Sequence, residues 1–509
     1  MNTSKKQPAD YIIGADIGTS SSKALAYSLK GEILCQHQIT CTTKHPRPSF
    51  SEQDPDEILK AVTGAIHAVV KEMKGRNPRC VSFSSAMHSL MAVNGKGEPL
   101  SPLIIWSDGR SQKEAEKLKA QKAATAIYTH TGTPIHPMSP LCKLLWWKEE
   151  NRKSFKEASR FIGIKGYVFS QLFGEYPIDY SLASATGLFD HTALRWYDPA
   201  LDLIGIKKER LADPVSPLQL FKGLKKDYAK QMGLEPDTPF VPGAGDGCLA
   251  NLGTGVTMKG ELAATIGTSG AVRLFIDKPI TDKKQRLFNY LLLEKEFISG
   301  GAINNGGVML DWFRTHFMKE GGGQTSYDDF VHEAMGSEAG SRGLLFLPYL
   351  LGERAPMWDA RARGAFIGIH YKHERKHFMR AVLEGICFSL FDSVRILETP
   401  KRPISNVYVS GGFTRSPAWV QMLTDTFNKE VKVSGRGDAS SVGAALLGMR
   451  ALGIISSWDQ ADKFIPVTKT FTPREKEADL YHRNFEVFSR MYETLMPTMH
   501  EIAGWQHER

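Results

Sequence analysis

The stretch Tyr11-Ile12-Ile13-Gly14-Ala15-Asp16-Ile17-Gly18-Thr19-Ser20-Ser21-Ser22-Lys23 decides the fold. Tyr11 to Ile17 is an apolar run with a single carboxylate near its end, which predicts a buried strand. Gly18 to Lys23 reads as a turn, and Ala24 to Ser28 continues as a second strand leading to Gly31, so the whole predicts a β-hairpin that opens a sheet. A carboxylate at a strand end, a tight turn with exposed N–H groups and four consecutive hydroxyls before a cation are the parts that hold a polyphosphate and Mg²⁺. The same residues also satisfy a plain Asp-Ile-Gly-Thr hairpin turn with solvated serines.

Outward from this hairpin, Asp54-Pro55-Asp56-Glu57 offers an N-cap, a first-turn proline and a capping-box glutamate. Ile58, Val62, Ile66, Val69 and Val70 then line one helical face that should pack on the sheet. Cys80 to Ser84 is strand-like and runs into Ala86-Met87-His88, at the carboxyl end where open α/β sheets place ligands.

A second strand-and-turn set begins midway. Phe240 to Gly247 is a strand followed by a turn, and Gly260 to Ile266 is a strand ending in Gly267-Thr268-Ser269-Gly270. Two hairpins with glycine-plus-hydroxyl turns, facing each other, would clamp a nucleotide's phosphates from either side and point to a duplicated architecture, although the halves are too dissimilar to be a sequence repeat. Asp246 stands among Gly243, Gly245 and Gly247, where small neighbours allow a substrate hydroxyl close to its carboxylate; a general base and an inert Asp-Gly turn both fit. Asn406 to Ser410 closes on Gly411-Gly412-Phe413-Thr414-Arg415-Ser416 before a helical stretch, which can seat an adenine and ribose against bare backbone. The division between halves is placed at 245, giving 1–245 and 246–509.

Bulk properties agree with two large domains, since 509 residues far exceed what one core supports. Lys and Arg number 64 against 55 Asp and Glu, but they are scattered along stretches such as Lys207 to Arg210, the pattern of a solvated face and not of a nucleic-acid groove. A field of that sign attracts anionic small molecules. Met1 to Asp10 is polar and lacks the apolar core of a signal peptide, and no run reaches membrane-spanning length, so no membrane partner is expected. The six cysteines include no Cys-x-x-Cys pair, which predicts reduced thiols and a cytoplasmic location.

P-loop, dinucleotide and nucleophile-elbow fingerprints are absent. His373-Glu374-Arg375-Lys376-His377 satisfies His-Glu-x-x-His formally, but its charged middle favours a solvated helix start leading into Phe378, Val382, Leu383 and Ile386 over a zinc site. His45 and His67 have no ligand-like neighbours and read as structural.

Over nearly its whole length the chain resembles the FGGY family of carbohydrate kinases, within the actin-like ATPases. Met138 to Trp146 is similar to the family's first signature and Gly364 to Gly385 to its second, with Gly368-Ile369, His377-Phe378 and Ala381 through Glu384 at the family's spacing. The resemblance implies an α/β fold of two RNase H-like domains around a cleft. It places the first phosphate loop on Asp16, Gly18, Thr19, Ser20, Ser21 and Lys23, and the second on Gly267, Thr268 and Ser269. Asp246 takes the catalytic base's place, Asp16 positions Mg²⁺, and Gly307, Gly412 and Ser416 are further nucleotide contacts. Met87, His88, Trp106 and Asp108 match segments lining the sugar pocket. ATP and a small sugar or sugar acid are the implied partners, with a homodimer left open.

Ser84 to Ser89, Thr131 to Met138 and Tyr180 to Ala185 resemble the branch acting on gluconate more than the xylulose branch, which typically has Gln before its Met-His pair. A carboxylate in a partly dry cleft needs a cation or several donors, and Arg110 and His136 are the nearest candidates by sequence. The other readings are a kinase for xylulose or another pentulose or polyol, and a non-catalytic sugar sensor on the same fold; Asp16, Thr268 and Asp246 together speak against the sensor.

Overall fold

The computed structural model describes residues 10–150, 152–318, 326–434 and 438–507; the polar start, residues 1–9, lies outside them. Two sheets carry the architecture. The N-terminal sheet holds β1 (Tyr11–Ile17), β2 (Ser21–Ser28), β3 (Ile33–Thr40), β4 (Val81–Ser85) and β5 (Phe240–Gly245), in the order β5-β4-β1-β2-β3. The first three strands are antiparallel neighbours, and β4 and β5 run parallel to β1.

The C-terminal sheet holds β6 (Glu261–Ile266), β7 (Gly270–Ile276), β8 (Phe288–Leu293), β9 (Glu296–Ile303), β10 (Asn406–Ser410), β11 (Val431–Ser434) and β12 (Val467–Phe471). Its order is β8-β9-β7-β6-β10-β11-β12. The inner five strands repeat the N-terminal pattern strand for strand: three antiparallel, then two parallel. The duplication expected from two glycine-hydroxyl turns is therefore a duplication of topology.

The hairpin β1–β2 is tighter than the sequence pattern predicts. β2 starts at Ser21, so that Ser22 pairs with Ile17 and Lys23 with Asp16, and the turn shrinks to Gly18-Thr19-Ser20. The helix Pro55–Glu72 begins as expected, with the Asp54 carboxylate accepting from the N–H groups of Asp56 and Glu57 at 2.9 and 3.4 Å. Glu57 does not close a capping box; its Oε1 accepts from the Thr42 N–H at 2.8 Å and ties the helix to the chain leaving β3. Ile58, Val62, Ile66, Val69 and Val70 are buried in the core beneath the N-terminal sheet.

Two helices lie between the sheets. The helix Asp246–Gly253 leaves the end of β5, and the helix Ala439–Ala451, which follows β11, comes back to lie on β1 and β4. The two helices touch backbone to backbone. A Cβ at Gly253 would lie 1.8 Å from the Ala439 carbonyl oxygen, and one at Gly443 would lie 2.1 Å from that of Leu249. Only glycine permits that approach. Leu249, Leu252, Val442 and Ala445 share one buried cluster with Ile12 of the first sheet and Ala263 of the second. All six cysteines are buried and unbridged. No helix among the described residues is long and apolar enough to cross a membrane.

Candidate active site

The three turns singled out by sequence meet around two cavities. One, of about 390 Å³, lies between the halves and is lined by Thr19 and Ser20 of the first turn, Met87, His88 and Trp106, Asp246, and Ser269 of the second turn. The other, of about 370 Å³, lies in the C-terminal half and is lined by Gly267, Thr268, Gly307, Gly412, Ser416, Leu310 and Tyr327. The turn between β6 and β7 is the wall they share. Gly307 fits this wall by its lack of a side chain: its N–H donates to the Gly267 carbonyl at 2.7 Å, and a Cβ there would come 2.8 Å from that oxygen.

Asp246 is the first residue of its helix, at the carboxyl end of β5, and its Oδ1 accepts from the Gly247 N–H at 2.7 Å. Burial pushes its carboxyl above the usual range, against the pull of the Arg273 guanidinium and that N–H. The backbone before it is pinned by a buried network. The Gly245 N–H donates to Ser181 Oγ at 2.6 Å, Ser181 Oγ donates to Asp179 Oδ1 at 2.7 Å, and Lys165 Nζ bridges Asp179 Oδ2 at 2.7 Å and the Ala244 carbonyl at 3.1 Å.

Asp16 sits near the end of β1 across from Lys23 and beside Ser84 of β4. Burial raises its pKa to about 7, eased by the nearby Ser84 hydroxyl and reinforced by the charges of Asp438 and Asp246. Its Oδ1 is buried with no hydrogen-bond partner. A buried carboxylate oxygen without a donor, beside two more carboxylates, fits a divalent cation. Among the described residues no group of three or more His, Cys, Asp or Glu could hold a metal by itself. Such a cation would take its remaining ligands from phosphate oxygens and water. Lys23 Nζ does not point free into the cleft; it pairs with Asp438 Oδ2 at 3.0 Å, which joins the first hairpin to the start of the returning helix.

On the far wall of the cleft, Trp106 Nε1 donates to Thr19 Oγ1 at 3.0 Å, linking that wall to the first turn. His88 has a positive φ of 63° at the turn after β4. Its Nδ1 faces the Ala185 carbonyl at 2.9 Å and so carries the proton, leaving Nε2 to accept from Tyr290 Oη at 3.2 Å across the cleft. Burial and the neighbouring Lys143 charge lower the His88 pKa to about 3, so the ring is neutral and its one acceptor, Nε2, is taken by Tyr290.

Besides Asp16, Gly18 and Lys23, which line neither cavity, four further sequence assignments do not reach them. Ser21 lies inside β2, 4% exposed, and away from the cleft lining. Asp108 and Arg110 form a buried structural pair. Arg110 donates through Nε and Nη2 to Asp108 at 2.8 and 2.7 Å and through Nη2 to Glu52 at 2.7 Å, with its guanidinium 3.9 Å from the Phe50 ring centre. Asp108 Oδ2 also accepts from the Ser51 N–H at 2.6 Å, so neither group is free for a substrate. His136 packs edge-on against Trp358, accepts from the Met138 N–H through Nδ1 at 3.2 Å, and is held well below its ordinary pKa by burial, so it supplies no positive charge.

The cations that do line the cleft are Arg273 and Arg354. A lone arginine in the apolar strand Gly270–Ile276 was the legible signal for the first; Arg354 follows an apolar run in a loop, with no periodic pattern to mark it. Asp438 and Tyr290 were likewise not singled out.

The His-Glu-x-x-His segment is not a helical metal face. The helix is Arg375–Leu397, Glu374 is its N-cap, and His377 Nδ1 accepts from the Glu374 N–H at 2.9 Å. His373 therefore lies outside the helix and not one turn before His377 on a shared face.

Models of the FGGY family of carbohydrate kinases match residues 11–253 (N-terminal domain) and 262–452 (C-terminal domain). A gluconokinase of Bacillus subtilis (strain 168) is 41% identical over 503 residues, covering 97% of this chain and 98% of that protein. A xylulose kinase of Staphylococcus epidermidis (strain ATCC 12228 / FDA PCI 1200) is 30% identical over 489 residues, 95% of this chain and 96% of the relative. Among solved structures, gluconate kinase from Lactobacillus acidophilus superposes with a TM-score of 0.92 at 32% identity, covering 96% of this chain and 98% of its own. Ligand-bound xylulose kinase from the same organism gives 0.93 at 32% identity, covering 97% and 100%. This chain belongs to the FGGY family of carbohydrate kinases, with the two-domain actin-like fold.

Proposed function

We propose that the protein is a gluconokinase that transfers the γ-phosphoryl group of ATP to the terminal hydroxyl of D-gluconate. The observation that carries the reaction is the shared wall: Thr268 faces one cavity and Ser269 the next, so a nucleotide in the first presents its terminal phosphate at the edge of the second, where Asp246 stands. The identity of 41% to a gluconokinase, against 30% to a xylulose kinase, supports the acceptor.

In this reading the adenine and ribose lie against Gly412 and Ser416, with the phosphates over Thr268 and Gly307. The acceptor lies under Trp106 with its hydroxyls toward Met87 and neutral His88. Asp246 accepts the proton of the attacking hydroxyl, and the fixed N–H groups of the two turns face the developing charge, because phosphoryl transfer depends chiefly on positioning and electrostatics. Magnesium bound with the nucleotide would be held through Asp16 and would supply further charge neutralisation. Closure of the halves about the two crossing helices excludes water from the transferring group.

A coupled ADP-release assay over a panel of acceptors tests the substrate. D-Gluconate should exceed D-xylulose and glycerol in kcat/KM by at least about tenfold, roughly 1.4 kcal/mol of transition-state binding. Faster turnover of xylulose would refute the assignment.

A further inference from the structure

Arg273 and Arg354 both border the cleft, and neither makes an ion pair among the described residues. Arg273 Nη1 donates to Thr265 Oγ1 at 3.2 Å, and Arg354 Nη2 donates to the Ile303 carbonyl at 3.0 Å. Both partners are neutral. Arg354 Nε is buried with no partner at all. The guanidinium of Arg354 lies 5.3 Å from the ring centre of Trp106, so it reaches from the C-terminal half over a wall of the N-terminal half. The carboxylate next to it, Glu353, is turned aside: its Oε1 accepts from the N–H groups of Asn304 and Arg354 at 2.5 and 2.7 Å, and its Oε2 from Asn305 Nδ2 at 3.0 Å.

The remaining charges around the cleft do not balance the two cations. Among the described residues Asp246 is the one carboxylate lining it, and Lys165, near Asp246, is already committed to Asp179. Burial weakens the charged form of Arg354, as does the Arg273 charge, while Glu353, Tyr290 and Asp246 work the other way. Arg273 is squeezed beside the start of the helix Asp246–Gly253, where a Cβ at Gly247 would come 3.3 Å from its Nε, so a glycine after Asp246 is what leaves room for the guanidinium. Two half-buried guanidiniums with unused donors facing one carboxylate leave a surplus of positive charge, which a carboxylate-bearing ligand neutralises with charge-assisted bonds and an uncharged polyol does not.

We propose that Arg354 and Arg273 together bind the carboxylate of an aldonate acceptor and so set the preference for a sugar acid over a neutral sugar. The assignment rests on the kinase reading above and adds the residues that select the acid. The rival use of the same donors, on the transferring phosphoryl group, is common to every acceptor and predicts a different result.

The test compares D-gluconate with D-glucitol, its uncharged analogue, in wild type and in Arg354→Gln and Arg273→Gln. The ratio of kcat/KM for gluconate to that for glucitol is expected to fall by at least about thirtyfold in each variant, and Arg354→Lys is expected to fall between wild type and Arg354→Gln. An unchanged ratio in either variant, with both acceptors losing together, overturns the carboxylate site and leaves the gluconokinase reading standing. Wild type that prefers xylulose to gluconate defeats the reading beneath it. Calorimetry on wild type without nucleotide decides the matter independently of how the variants fold. Gluconate binding at least about tenfold more tightly than glucitol supports the site, and equal affinities overturn it.

Discussion

Thr268 and Ser269 are consecutive residues of one turn, yet Thr268 lines the cavity of the C-terminal half and Ser269 lines the cleft between the halves. The turn is held from behind by Gly306 and Gly307, whose N–H groups donate to the carbonyls of Thr268 and Gly267 at 3.2 and 2.7 Å. A change at Thr268 should therefore act on the nucleotide and leave the acceptor alone. Thr268→Val is expected to raise KM for ATP or lower kcat while gluconate affinity by calorimetry stays near wild type. Loss of acceptor affinity with unchanged nucleotide kinetics would mean that the two cavities are misassigned.

Asp16 gives a prediction with a definite sign. Its carboxyl is held up at about 7, against an ordinary 3.8. A raised carboxyl stabilises the folded state fully only below the ordinary value, and that contribution is lost as pH rises through about 7. Asparagine at this position stays neutral throughout. In ligand-free protein Asp16→Asn should therefore raise Tm, and by more at pH 8 than at pH 5, while activity is severely reduced at both. A Tm difference that is constant with pH, or reversed, would remove the buried charge as the cause.

The crossing helices make a stability prediction. Gly443→Ala would place a methyl 2.1 Å from the Leu249 carbonyl oxygen, against backbone that has no rotamer to change. Overpacking of this kind costs about 1–3 kcal/mol or more. The variant should show a lower thermal midpoint, together with impaired turnover because the contact joins the two halves. A midpoint within a degree of wild type would show that the helices part easily there.

Much of this was legible in the sequence, for identifiable reasons. Tyr11 to Ile17 and Glu261 to Ile266 announce themselves because each apolar run ends in a glycine-hydroxyl turn, and the turn chemistry is local. Arg110 misled because adjacency to Trp106 in the chain says nothing about which way a side chain points; three acceptors and the Phe50 ring claim it in the fold. Arg354 was illegible for the converse reason, since it reaches the cleft only through a loop that contacts Ile303 and Trp106, far away in sequence. The extent of the serine run as a phosphate cradle was also overread: strand pairing begins at Ser21 and buries it. The partner of Lys23, Asp438, lies 415 residues away, beyond the reach of any local pattern.

His373 and His377 yield a further test. Because the helix starts at Arg375 and His377 Nδ1 is engaged in the cap, the pair should bind no catalytic metal. Elemental analysis should find zinc well below one equivalent, and a zinc-selective chelator should leave activity with magnesium intact. Stoichiometric zinc whose removal abolishes turnover would contradict this geometry.

The central claim is that Asp246, half-buried at the head of its helix and facing the cleft, takes the proton of the acceptor hydroxyl. The direct measurement is kcat of Asp246→Asn with gluconate at saturating ATP, alongside nucleotide affinity by calorimetry. The variant should keep ATP binding and thermal stability and lose about two to four orders of magnitude in kcat. A kcat within about threefold of wild type would contradict the role of Asp246 as the base.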